Sequence, residues 1–167
     1  MPVVAGVEVR VNPAPLDLVM VTVRAAAAAR LQPGAPPIIL ILDAPAPVPV
    51  RGDEARLEQI VANLLTNAIT YAPHSARINV RVRMEGEQAV LQVRDDGPGI
   101  PAAALPHLFS RFYQVTRADA PSRQGLGLGL YLIRELATAH GGTVDVASSE
   151  GAGATFTVTL PLGTDGG

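Results

Sequence analysis

Two asparagines, one aspartate and a series of spaced glycines carry the chemistry that this sequence can be read for. Asn63, Asn67 and Tyr71 follow one another at intervals of four, so on a helix they share one face. Asn is a poor helix former because its side chain competes with the backbone for hydrogen bonds. Two of them inside an otherwise good helix mark either a solvated face or a polar groove. In the groove, an amide oxygen would meet Mg²⁺ beside phosphates, because Mg²⁺ takes hard oxygen ligands and keeps waters and substrate phosphates. Further along stand Asp95-Asp96-Gly97-Pro98-Gly99-Ile100, then Gly125-Leu126-Gly127-Leu128-Gly129-Leu130, then Gly151-Ala152-Gly153. All 13 basic residues are arginine. The lack of lysine removes the Walker A lysine, the strand lysine of eukaryotic-type protein kinases and any Schiff-base lysine. Helical asparagines followed by spaced glycines point to a nucleotide site that handles phosphates without lysine.

Asp95 lies two residues beyond Val93, in step with Ala89, Leu91 and Val93. On a strand its carboxylate therefore faces the core side of the sheet edge. A carboxylate there needs a donor, since burying it unpaired costs several kcal/mol. The exocyclic amine of a bound purine is one such donor. Adenine presents an amine where guanine presents a carbonyl, so an acceptor-only carboxylate would select adenine. Gly97 and Gly99 let the backbone turn and approach the base; an ordinary Asp-Gly turn after a strand is the alternative. Gly125, Gly127 and Gly129 lead into a helix, whose free N-terminal amides and dipole favour phosphate. A flexible hinge is the alternative there. Phe109 and Phe112 flank Arg111. The aromatic pair would pin this segment to the body and leave Arg111 to meet phosphate or a partner. His74, His107 and His140 read as structural.

The elements that must position these groups follow from hydrophobic periodicity. Val7 to Val11 reads as a short strand, Asp17 to Leu31 as a helix with five consecutive alanines, and Ile38 to Leu42 as a buried strand. Pro45, Pro47 and Pro49 form an extended connector that cannot join a central sheet position. Asp53 is placed to cap a long helix to about Ala72, with Leu57, Ile60, Val61, Leu64, Leu65 and Ala68 on its apolar face. Two strands with alternating Ile78, Val80, Val82, Met84 and Ala89, Leu91, Val93 are joined by a turn at Glu85-Gly86-Glu87. About Gly97 to Gln124 has no strong period and holds four prolines, the pattern of a functional lid. Leu126 to His140 reads as a helix stopped by Gly141-Gly142, and Val144 with Val146, then Ala154 to Leu160, as two final strands. The order is α+β: a two-layer α/β sandwich with helices on one face of a mixed sheet.

Composition narrows the class. A chain of 167 residues is expected to make one domain, and 48% hydrophobic content is ample for its core. A net charge of −2 with scattered arginines argues against a nucleic-acid partner. The absence of cysteine removes disulfides and thiolate metal sites and fits a reducing compartment. No apolar run approaches the roughly 18 residues needed to span a bilayer. A cytoplasmic domain without membrane contact is the expectation.

Taken together, these segments resemble the catalytic and ATP-binding domain of bacterial sensor histidine kinases, within the Bergerat-fold superfamily. Asn63 to Ala68 resembles the N box, Asp95 to Ile100 the first glycine box and Leu108-Phe109-Ser110-Arg111-Phe112-Tyr113 the F box. Gly125 to Leu130 resembles the second glycine box, and Gly151 to Phe156 the third. The resemblance covers about Asp17 to Pro161. It implies a mixed, mostly antiparallel sheet with three helices on one face, and ATP held between the N-box helix and a lid at about 101–124. It implies Mg²⁺ on Asn67 and an Asp95 contact to the adenine amine. Asn63, Asn67 and Arg111 would serve the transfer chemistry. Tyr71, Gly97, Gly99, Ile100, Phe112, Gly125, Leu126, Gly127, Leu128, Gly129 and Thr155 would join Asn67 and Asp95 in holding the nucleotide. Residues 1–162 would form the domain and 163–167 a flexible tail.

Several positions depart from the family pattern. Thr70 stands where the family often has Lys, Gln114 where the F box often has Arg, and Ala154 where the third box often has Thr or Ser. No His lies in the phosphoacceptor context, and the dimerising helical hairpin is missing. This implies a monomeric fragment of a longer sensor, with a phosphoacceptor His domain and a response regulator as partners. The hydrolytic branches of the superfamily resemble Glu-x-x-x-Asn; here Asn63 fills the Glu position and cannot act as a general base. A kinase needs positioning and charge neutralisation, not an activated water. An anti-sigma-factor-type serine kinase and a degenerate nucleotide-binding interaction module are the other readings. The F box and proline-rich lid favour the sensor kinase over the first, and intact Asn67, Asp95 and glycine boxes favour it over the second.

Overall fold

The computed structural model describes residues 3–4, 7–8, 10–42, 47–71, 77–110, 128–148 and 151–163. Two short strands, β1 (Val3–Val4) and β2 (Val7–Glu8), pair antiparallel at the start. The strand expected to run on to Val11 thus ends at Glu8, and Val11 lies in the connection that follows. Strand β3 (Ala14–Asp17) leads into helix α1 (Leu18–Arg30). Asp17 is the N-cap rather than the first helical residue: its Oδ1 accepts from the Val19 amide at 3.0 Å and from the Val48 amide at 3.0 Å. The same carboxylate thus starts α1 and fixes the chain 31 residues later.

Strand β4 (Ile38–Leu42) precedes β5 (Pro49–Gly52), which pairs antiparallel with β3 in a separate two-stranded ribbon. Pro49, expected in an extended connector, is the first residue of β5. At that position a missing N–H is tolerated, and its carbonyl accepts from the Gly163 amide at 2.8 Å.

Helix α2 (Glu54–Tyr71) forms as the periodicity demands. Leu57, Ile60, Val61, Leu64, Leu65 and Ala68 are all buried along one face. Each large apolar side chain there contributes about 1.5–3 kcal/mol of transfer free energy. Asp53 caps the helix, accepting from the Arg56 amide on Oδ1 and from the Asn12 amide on Oδ2. These bonds, the Asn12 contact first, hold its carboxyl below the usual carboxylate range.

Strands β6 (Ile78–Glu85) and β7 (Gln88–Asp95) make a hairpin in register from Ile78 opposite Asp95 to Glu85 opposite Gln88. Gly86 takes the positive φ of 60° at its tip. After a short 3₁₀ turn at Leu105–His107 comes helix α3 (Leu128–Ala139), then β8 (Thr143–Ser148) and β9 (Ala154–Pro161). The five-stranded sheet runs β4-β6-β7-β9-β8, with β4 and β6 parallel and every other pair antiparallel. Ile78, Val80, Val82, Ala89, Leu91, Val93, Phe156, Val158 and Leu160 turn one face of it toward the helices. This is the α+β sandwich with three helices that the sequence implied.

His140 shows why the structural reading of that residue holds. Its Nδ1 lies 2.8 Å from the Leu136 carbonyl, which only accepts, so Nδ1 carries the proton. The free Nε2 then accepts from the Asp53 amide at 3.0 Å. The ring joins the end of α3 to the start of α2 and sits over Gly52, where a Cβ would come 2.9 Å from the imidazole Cδ2.

Candidate functional site

The sheet register brings the candidate residues to one edge. Ala154 at the start of β9 pairs with Asp95 on one side and with Ser148 on the other. Ile78 stands beyond Asp95 on β6, so Ile78, Asp95, Ala154 and Ser148 form a row across four strands. Opposed residues in a sheet point to the same face, here the helix side. Asp95 is only 7% exposed, as its step with Val93 requires. Its Oδ1 accepts from the Gly97 amide at 2.9 Å, which turns the chain out of β7.

The first and third glycine segments are stitched together. The Gly151 amide donates to the Pro98 carbonyl at 2.6 Å. The Ile100 amide donates to Ser148 Oγ at 2.8 Å, and Ser148 Oγ donates to the Gly153 carbonyl at 2.7 Å. Gly99 and Gly153 both hold φ at 77°, a conformation that favours glycine. A Cβ on Gly153 would overlap the Asp95 carbonyl oxygen, so only glycine lets this turn reach the end of β7.

Helix α2 supplies the asparagines. Asn63 and Asn67 are half-buried, between the buried Leu64, Leu65 and Ala68 and the exposed Thr66 and Thr70. They sit on the margin of the apolar stripe. Thr70, at the position where lysine is common in similar domains, turns its hydroxyl back to the Thr66 carbonyl at 2.8 Å. Thr66 in turn accepts from Gln32 at 3.0 Å. At the start of helix α3, a Cβ added to Gly129 would meet nothing within 4 Å among the described residues. Among the described residues no group of three or more His, Cys, Asp or Glu side chains could hold a metal ion.

Thr155 follows Ala154 on β9 and so points to the opposite face of the sheet, opposite Arg94 and Ala147. The period of two that buries Asp95 turns the Thr155 side chain away from the row. Arg111, Phe112, Gly125, Leu126 and Gly127 lie outside the described residues, as do the side chains of Tyr71 and Leu128. The first part of the expected lid, residues 101–110, packs on the body. Ala104 and Leu108 are buried, and Phe109 meets Phe156 edge-on with ring centres 6.2 Å apart. Residues 111–124 of that segment lie outside the described residues.

Ser148 was not singled out from the sequence. Its signal was its step with Val144 and Val146 on the inward face of β8, legible only once the strand is carried to its last residue.

The family model for histidine kinase-, DNA gyrase B- and HSP90-like ATPases matches residues 52–164. The signal transduction histidine-protein kinase AfsQ2 of Streptomyces coelicolor is 43% identical over 120 residues, which is 72% of this chain and 22% of that protein. The chain spans less than a third of the length of the curated relatives it matches. Among solved structures, the mycobacterial sensor histidine kinase MprB superposes with a TM-score of 0.78 at 29% identity, covering 89% of this chain and 98% of that one. Full-length ShkA in complex with AMPPNP superposes with a TM-score of 0.77 at 28% identity, covering 93% of this chain and 32% of that one. With a matching model over most of its length and a fold shared with these kinases, the chain belongs to the histidine kinase-, DNA gyrase B- and HSP90-like ATPase family.

Proposed function

We propose that this chain is the ATP-binding catalytic domain of a two-component sensor histidine kinase, transferring the γ-phosphoryl of Mg-ATP to a histidine on a separate helical domain. The observation that carries the reading is the buried Asp95, flanked by glycine turns, in a fold whose helix α2 carries Asn63 and Asn67 at the margin of its buried face. Asp95 accepts from the adenine amine, which distinguishes adenine from guanine. Likeness to a kinase solved with AMPPNP supports a nucleotide at this edge. A bound Mg²⁺ would supply neutralisation of the phosphate charge. Asn67 is the side chain that would hold it.

Asn63 has no basic group to offer, so the site positions a phosphoryl donor without activating water for hydrolysis. Arg111 meets the phosphates, and Tyr71, Gly97, Gly99, Ile100, Phe112 and the segment from Gly125 to Gly129 enclose the nucleotide. Residues 1–162 act as one unit, with residues 101–124 as its lid. The partners are the phosphoacceptor domain of the same sensor and a response regulator, on the cytoplasmic side. Incubating the chain with labelled ATP, Mg²⁺ and a phosphoacceptor domain tests this. Acid-labile, base-stable label on the acceptor is expected, dependent on Mg²⁺ and lost in Asn67→Ala. Label that appears without the acceptor, or equally without Mg²⁺, would overturn it.

A further inference from the structure

We propose that Ser148 is a positioning residue for nucleotide recognition, its hydroxyl locking the Gly97–Ile100 turn to the Gly151–Gly153 turn beside Asp95. The inference rests on the adenine-nucleotide reading above and names the group that keeps that pocket wall in register. A serine hydroxyl has one proton and two lone pairs. Here the proton goes to the Gly153 carbonyl at 2.7 Å, and a lone pair receives the Ile100 amide at 2.8 Å. With both directions taken, the hydroxyl has a fixed orientation and ties two loops that the chain separates by about 50 residues.

Three facts give the tie leverage on the site. Ile100 is 9% exposed, so water is poorly placed to replace the serine at its amide. Ala154 lies between Ser148 and Asp95 in the sheet row, so the tie closes over the same strand end that carries the carboxylate. The same carboxylate accepts from Gly97, three residues before Ile100, so the turn is anchored at one end by Asp95 and at the other by Ser148. Releasing the Ser148 end leaves the turn held by the Asp95 contact and by the Gly151 bond to Pro98. Apparent affinity then falls by the fraction of molecules whose turn remains in place.

The test uses Ser148→Ala, Ser148→Thr and Ser148→Cys in the full chain. Thr keeps the hydroxyl, and Cys keeps the length with a weaker donor and acceptor. ATP and GTP affinities are measured by calorimetry, and amide exchange is followed without nucleotide. Ser148→Ala is expected to weaken ATP binding about three- to tenfold, the range for one net hydrogen bond. It is also expected to narrow the preference for ATP over GTP and to speed exchange at Ile100 at least tenfold, while Val82 and Leu91 keep their rates. Ser148→Thr should restore affinity and preference, with Ser148→Cys between them. An unchanged preference in Ser148→Ala would sink the positioning role, because a purely structural serine lowers stability without altering which base is chosen. Unchanged exchange at Ile100 would refute the tie itself. Failure of the unmutated chain to bind any adenine nucleotide would instead refute the functional reading, and the exchange measurement separates that failure from failure of the tie.

Discussion

Gly151 and Gly153 lie two residues apart in one turn and share nearly the same backbone, with φ of 80° and 77°. Replacing each by alanine separates the effect of conformation from the effect of contact. A Cβ in the left-handed region costs roughly 1–2 kcal/mol, partly offset by about 0.4–1 kcal/mol from the stiffer unfolded chain. At Gly151 nothing among the described residues lies within 4 Å of the added carbon, so that difference, about 1 kcal/mol, is the expectation. At Gly153 the carbon would overlap the Asp95 carbonyl oxygen, with the Asp95 carbonyl carbon at 3.1 Å and the Asp96 Cα at 3.3 Å. All three are backbone atoms, so no rotamer change relieves them. Either the end of β7 withdraws from β9 or the turn opens. Both routes loosen the two Ser148 bonds and the Gly151 bond at about 1 kcal/mol each, which with the conformational cost totals about 3–4 kcal/mol. In a domain of this size 1 kcal/mol moves Tm by about 2–4 °C. Gly151→Ala should therefore lower Tm by about 2–4 °C, and Gly153→Ala by roughly 6–16 °C. Thermal unfolding by circular dichroism measures both, and calorimetry should find ATP binding kept in the first and lost in the second. Equal Tm losses would refute the argument, since they would mean that the close approach of Gly153 to β7 does not hold the edge together.

Three further outcomes follow from the same geometry. Asp95→Asn keeps an acceptor for Gly97 but loses the charge, worth about 1.5–3 kcal/mol in a hydrogen bond, so ATP affinity should fall by more than tenfold in calorimetry; wild-type affinity would remove Asp95 from the base contact. Asn67→Ala should abolish Mg²⁺-dependent phosphotransfer while raising or preserving helix stability, because Ala is the better helix former; an unchanged rate at limiting Mg²⁺ would remove Asn67 from the metal. Asp53→Ala should cost about 1 kcal/mol in urea unfolding through loss of the cap. The Asp53 carboxyl is held low by the Asn12 and Arg56 amides, so its stabilisation is present above the unfolded value of about 3.9 and is lost as pH falls through the lower folded one. The variant should accordingly lose less stability than the unmutated chain on acidification below about pH 4, and parallel acid profiles would refute that.

Long periodic segments were legible because one physical cause dominates them. The apolar stripe of α2 and the alternation of β6 and β7 each bury one face, and nothing competes with that burial. The ribbon of β3 and β5 was not legible, for the opposite reason. Pro15 and Pro49 lower the local strand signal, and the pairing joins residues separated by some 35 positions. Asp17 bonding across to Val48 is a contact that no local pattern announces. The alternation of Val7, Val9 and Val11 points to a strand as far as Val11, whereas Arg10 and Val11 lie outside any strand.

The candidate site was legible by chemistry and less so by geometry. Asp95 could be oriented from the sequence because its strand alternates without interruption up to it, and its burial agrees. Thr155 was assigned by its membership of a motif, and a motif read along the chain ignores which face each residue presents. Once Ala154 is placed beside Asp95, its neighbour Thr155 must face the other way, and the hydroxyl on the Asp95 side belongs to Ser148 on the next strand. Two strands with the same parity therefore deliver what one contiguous motif could not: an acceptor from β7 and a two-way hydrogen-bonding group from β8, on one face. The glycines serve this arrangement directly. Gly153 lets β9 start against the carbonyl of Asp95, and without that approach neither the row nor the tie from Ser148 to Ile100 could close.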